Sequence, residues 1–145
     1  MKLLISQKHN LMKNRLVAPI ILLLFFSLFL VNCNKDKETK FVIEVDSIHI
    51  ADTIKLSETL RIEFFGTIGN NGCYDFSHDE TNLEGSTISI KLWGKNSGSD
   101  DCPAVIVKLD GTYYDINFNA AGSYIVEIIQ PDNSKITNTV VVEDP

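Results

Sequence analysis

From Phe41 onward the chain falls into short runs rich in Val, Ile, Thr, Phe and Tyr, separated by Gly, Asn, Asp and Pro. Apolar residues recur there with a period of two, the pattern of a half-buried strand, and no window of ten or more residues keeps a clean helical period. The pattern predicts strands over 41–50 with a continuation at 53–56, then 60–68, 73–77, 87–94, 104–109, 112–118, 123–130 and 136–143. Seven to nine short strands in about 105 residues predict an all-β sandwich. Asp110-Gly111 separates two of these runs by two residues, the cue for a type I′ hairpin. Its register would set Val107 opposite Tyr114 and Val105 opposite Ile116, leaving Lys108, Tyr113 and Asp115 on the other face. Pro131-Asp132-Asn133-Ser134 predicts a second hairpin turn.

Ahead of the strands the pattern is different. Residues 16–31 carry no charge and depart from apolar character only at Pro19 and Ser27, and Lys2, Lys8, Lys13 and Arg15 precede them without an acid. A basic stretch followed by an apolar run is the layout of a signal peptide, expected here over 1–32. A transmembrane anchor is the competing reading, but 16 helical residues rise about 24 Å against a hydrocarbon core of roughly 30 Å. Both readings place the strand-rich region outside the cytoplasm.

The run ends in Leu30, Val31, Asn32 and Cys33. These residues resemble the lipobox of bacterial lipoproteins, with Leu three residues before the Cys, although Asn32 stands where Gly, Ala or Ser is usual. The resemblance implies cleavage before Cys33, diacylglycerol on its thiol and an acyl chain on its amine. Several chains, at about 0.8 kcal/mol per buried CH₂, hold a protein on a membrane far more firmly than one. Residues 33–40 then read as the lipidated Cys and a solvated tether, with 41–145 as the folded domain. Charged runs directly after the Cys also resemble signals that send some Gram-negative lipoproteins to the surface of the outer membrane. The expected location is the cell envelope, on the periplasmic or the exposed face of that membrane.

Asn119-Ala120-Ala121-Gly122-Ser123-Tyr124 resembles the tyrosine corner of immunoglobulin-like and fibronectin-like sandwiches, in which the phenol bonds back to upstream backbone. Simple core packing of Tyr124 beside Val126 and Ile128 is the alternative. Val126 stands where true immunoglobulin domains place Cys, so the resemblance implies an Ig-like sandwich rather than an immunoglobulin domain. Gly72-Cys73-Tyr74, Ile88, Ile90, Gly94, Cys102 and Gly122 with Tyr124 together resemble a domain recurrent in lipid-anchored proteins of Gram-negative bacteria. That resemblance spans most of 52–143, and its motifs are structural.

Charge narrows the partners. Residues 33–145 hold 9 bases against 19 acids, a net of −10, which repels nucleic acid and anionic lipid headgroups within a screening length of roughly 8 Å. With Cys33 given to lipid by the lipobox resemblance, Cys73 and Cys102 are the pair left, and an exported domain is where a disulfide persists. A redox or metal-binding role for that pair lacks a CxxC spacing or neighbouring ligands.

Candidate chemistry is sparse. His49 alternates with Ile48 and Ile50 and is expected on the solvent face of a strand. His78 falls in Ser77-His78-Asp79-Glu80, read as a polar loop that lacks the three or four ligands of a useful metal site. Residues 97–101 lack a calcium-binding spacing. No cofactor is expected, and a hydrolase would need a carboxylate pair such as Asp75 with Asp115 or Glu127. Alternation turns Phe65 and Trp93 outward and the Asp110-Gly111 hairpin register does the same for Tyr113, and on one sheet they would form an exposed aromatic patch suited to a protein or glycan. Burial under loops, or placement on different sheets, would dissolve it. The expectation is a lipid-anchored binding, adhesion or assembly module and not an enzyme. The alternative is an inhibitor or accessory subunit of an envelope enzyme or transporter, presenting the 70–72 or 97–101 loops.

Overall fold

Leu60, Ile62 and Phe64 are fully buried while Arg61 and Phe65 beside them are exposed, and Ile88, Ile90 and Leu92 repeat the alternation. Two such apolar faces can leave water only by closing on each other, and they do so in an all-β sandwich. The computed structural model describes residues 37–144. The expected signal segment over 1–32 and the expected lipid acceptor Cys33 lie outside these residues.

Eleven strands follow in order: β1 Thr39–Val42, β2 Ser47–Ile50, β3 Thr53–Lys55, β4 Leu60–Phe65, β5 Thr67–Gly69, β6 Tyr74–Glu84, β7 Thr87–Asn96, β8 Val107–Lys108, β9 Tyr113–Ile116, β10 Gly122–Ile129 and β11 Lys135–Glu143. One sheet runs β1-β7-β10-β11-β3 with β6 also paired to β7, a second runs β2-β4-β9, and β5 and β8 form a two-stranded ribbon. Ile88, Ile90, Leu92, Val126, Ile128, Val140 and Val142 of the six-stranded sheet share one core with Leu60, Ile62 and Phe64 of the three-stranded sheet. Each fully buried side chain of this kind contributes roughly 1.5–3 kcal/mol.

The all-β sandwich matches expectation, and several details correct it. The stretch predicted as one strand over 41–50 is two, because the chain crosses between sheets. Ile43 N–H still donates to Leu92 of the large sheet at 2.9 Å, whereas Asp46 N–H donates to Phe65 of the small one at 2.9 Å. Between them the N–H of buried Val45 has no strand partner and donates to the side-chain oxygen of buried Gln130 at 3.0 Å. Gly66 divides the predicted strand 60–68, since a Cβ there would lie 2.8 Å from the Glu44 carbonyl of the crossing chain. Pairing of Thr39 and Lys40 with Asn96 and Lys95 shortens the expected tether by drawing its last two residues into β1.

The predicted Asp110-Gly111 hairpin is absent. Thr112 N–H does turn back to the Leu109 carbonyl at 2.7 Å, but Gly111 (φ 89) is the only left-handed residue of the turn, which is the type II form rather than type I′. The flanking strands then part: β8 pairs β5, with Val107 opposite Gly69, and β9 pairs β4, with Tyr114 opposite Ile62 and Ile116 opposite Leu60. Val105, expected to be inward, is 51% exposed. The tight hairpin lies instead at Gly85-Ser86, where β6 and β7 close with Glu84 opposite Thr87 and Gly85 at φ 62. Residues 77–80, expected as a loop, are therefore part of β6. The second predicted turn is present, with Asn133 N–H bonded to Gln130 O at 3.0 Å and Asp132 accepting from Ser134 N–H at 2.9 Å.

Parallel pairing of β3 with β11 closes one side of the large sheet. A second parallel pair, β7 with β10, distinguishes this sandwich from one built of antiparallel strands alone. At the start of β10 the Tyr124 hydroxyl donates to the Ala120 carbonyl at 3.0 Å, the bond of a tyrosine corner, and its ring packs on Phe118 with centroids 4.5 Å apart.

Candidate functional site

Three surfaces carry the residues singled out from sequence. The first is the outer face of the three-stranded sheet. Alternation along β4 and β9 turns Arg61, Phe65, Tyr113 and Asp115 to solvent, with Phe65 38% and Tyr113 54% exposed. Arg61 lies opposite Asp115 and grips it through Nε at 2.9 Å and an Nη at 2.8 Å, while its guanidinium sits 4.0 Å above the Tyr113 ring. Hydrogen bonding from Arg61 holds the Asp115 carboxyl below its usual range and lifts the guanidinium higher still. The forked bond and the stacking fix the ring's underside and leave its other face free. His49 is on the same sheet, exposed and opposite Glu63.

The second surface is the outer face of the six-stranded sheet, and Trp93 is there. Its indole N–H donates to Glu80 at 3.0 Å, its ring stacks on His78 with centroids 6.1 Å apart, and Lys91 reaches over it at 5.8 Å. The indole is half-buried under these neighbours. All three aromatics face outward, Phe65 and Trp93 by alternation and Tyr113 through the pairing of β9 with β4 in place of the expected hairpin, but they do not make one patch. Phe65 and Tyr113 occupy one outer face of the sandwich and Trp93 the other, because β4 and β9 pair together whereas β7 pairs with β6, β1 and β10.

The third surface is one that sequence reasoning named only as two separate loops. Cys73 and Cys102 form a disulfide, with Cα atoms 5.3 Å apart. It ties the loop holding residues 70–72 to the segment that follows β7, and Gly72 N–H donates across to the Pro103 carbonyl at 2.8 Å. Ser97 N–H bonds to the Cys73 carbonyl at 3.0 Å, so the 97–101 loop leaves from the same point. Beside this staple Val105 and Ile106 are 51% and 66% exposed. An open cleft of about 380 Å³ lies at the bridge, lined by Glu38, Gly72, Tyr74, Asp75, Lys95 and Ser97 among others. The Val105-Ile106 sequence has the pattern of a strand interior. Pro103 one residue before Ala104 was the available signal that the strand would start later.

The remaining polar candidates do not converge. His78 and Glu80 share a face of β6, and alternation sends Asp79 to the other, so the His-Asp-Glu run cannot close on one ion. No group of three or more His, Cys, Asp or Glu among the described residues is placed to hold a metal. Asp115 is engaged by Arg61 on the small sheet, Glu127 by Lys135 at 2.7 Å on the large one, and Asp75 lies 3.9 Å from Lys95. The carboxylate pairs considered from sequence are therefore separated by the sandwich or held by different cations. Cys33 lies outside the described residues.

The chain matches no family model, no curated protein and no solved structure in the comparisons made. The small sheet offers an exposed aromatic ring beside a fixed ion pair, and the stapled end offers two exposed aliphatic side chains among backbone polar groups.

Proposed function

We propose that this is a cell-envelope lipoprotein, held on the outer membrane by lipid on Cys33, whose sandwich serves as a binding, adhesion or assembly module and not as an enzyme. The Cys73–Cys102 bridge carries the reading. Disulfides persist in oxidising compartments, so a bridged domain behind a basic-then-apolar segment fits export. A protein or glycan is the expected partner, and the acidity of the chain argues against nucleic acid.

The test is incorporation of labelled palmitate in a Gram-negative host. Label is expected on the wild-type chain and not on Cys33→Ala. Absence of label from the wild type, or label that survives the substitution, overturns the anchor.

A second reading is favoured by a specific observation. The two loops named for an inhibitor or accessory subunit meet at the disulfide, beside exposed Val105 and Ile106. Loops held rigid by a covalent staple lose less entropy on docking, which suits insertion into the cleft of an envelope enzyme or transporter.

A further inference from the structure

The C-terminal half of β6 is an open sheet edge. Residues 78–84 pair with β7 on one side, and no described backbone group bonds their other side. All seven are exposed, Leu83 at 62%. The N-terminal end of β6 is different, since Gly69 of β5 lies against the Tyr74 ring. Natural edges are usually blunted by charged side chains, above all Lys, by Pro, by brevity, by a bulge or by a cover. This stretch has no Lys, no Pro and, among the described residues, no cover, and its bulge falls upstream, between Phe76 and His78; its charges are the carboxylates of Asp79, Glu80 and Glu84, which restrict how a second strand can pair with it.

We propose that this edge pairs with the same edge of a second copy, antiparallel about a two-fold axis through Thr81, joining two six-stranded sheets into one. The charges select the register. A two-fold axis normal to the sheet keeps each side chain on its own face, so residues placed opposite must have the same parity and the axis must pass through a residue. An axis through Asp79 or Glu80 sets that carboxylate against its own copy. An axis through Asn82 sets Glu80 against Glu84 twice. Like charges directly opposite one another destabilise a strand pair.

Through Thr81 none of these clashes occurs. His78 falls opposite Glu84 at both ends, Glu80 opposite Asn82, and Asp79 opposite Leu83. An axis through Leu83 also avoids like charges, but it pairs only residues 82–84 of the strand because Gly85 (φ 62) turns the chain away. The Glu80 bond to Trp93 is kept, since both groups lie on the outer face and neither crosses the edge. An axis through His78 also avoids like charges but draws in residues 74–77, where Gly69 of β5 lies against Tyr74, so charge and length together leave one self-complementary pairing over the full exposed stretch.

Cross-linking of the full-length, detergent-solubilised chain under a mild thiol oxidant tests the register. Residues directly opposite in an antiparallel pair have Cβ atoms about 4.5–5.5 Å apart, close enough for a disulfide after small adjustment. Thr81→Cys should give a covalent dimer well above the wild-type level, which sets the background from the three native cysteines. Glu80→Cys or Asn82→Cys alone should not, and a mixture of the two should. Should Thr81→Cys fail to fold by circular dichroism, a mixture of Asp79→Cys with Leu83→Cys serves in its place. Within the Thr81→Cys chain, His78→Glu should lower the dimer yield roughly three- to tenfold and added Glu84→His should restore it. Cross-linking no higher than wild type, equal cross-linking by every single cysteine, or failure of the charge swap to restore the yield overturns the proposal.

Discussion

At the scale of single residues, the informative side chains are those that satisfy backbone groups where regular pairing stops. Gln130 is buried and accepts from Val45 N–H at 3.0 Å, at the point where the chain leaves one sheet and has not reached the other. Tyr124 does the same for the chain entering β10, donating to Ala120 O at 3.0 Å. Tyr124→Phe keeps the ring on Phe118 and removes only that bond, so a loss of about 0.5–1.5 kcal/mol in urea unfolding is expected. An unchanged midpoint would mean that Tyr124 acts by core packing alone. The role of Tyr124 was legible from Gly122 and its neighbours, because a tyrosine corner is local and its partners are four residues apart. The role of Gln130 was not, since its partner lies 85 residues away.

Elements were legible where burial alternates and obscure where it does not. β7, β10 and β11 fall where predicted and β4 fills the first part of the predicted 60–68, each with one face on the core. β6 is longer than predicted because residues 78–84 are exposed on both faces, so no apolar alternation marks them. The Gly85-Ser86 pair was the signal for that hairpin. Asp110-Gly111 carried the more familiar cue and turns the chain between sheets instead. A two-residue cue sets a bend, and what each arm finds to pair with decides whether a hairpin follows. The disulfide also acts on this scale, closing a loop with a sequence separation of 29. Cys73→Ser with Cys102→Ser is expected to cost roughly 3–4 kcal/mol by the chain-entropy relation, measured by urea unfolding of the oxidised wild type against the double variant. A loss below about 1 kcal/mol would show that the loops hold their places without the bridge.

On the scale of the whole molecule, the sandwich divides the surface into two faces and an end. The faces separate Phe65 and Tyr113 from Trp93, and the end brings the 70–72 and 97–101 loops together. The two functional readings therefore predict different sensitivities. With the full-length chain used to retain partners from an envelope extract, Ile106→Asp should abolish retention if the stapled end binds and leave it unchanged if the small sheet binds. Tyr113→Ala should do the reverse. Both sites are well exposed, at 66% and 54%, so neither change is expected to disturb the core.

The sequence by itself determined the all-β class, the inward faces of the main strands, the turn at 131–134 and the outward direction of Phe65 and Trp93. These follow from a period of two and from local turn chemistry, which need no knowledge of distant chain. Only the tertiary structure decided which strands are neighbours, and with that the parallel β7–β10 pair, the splitting of the aromatic patch, the stapled loops and the open edge of β6. Strand pairing is non-local: a run of alternating residues specifies that one face must be buried, and the partner that buries it is chosen by the packing of the whole sandwich.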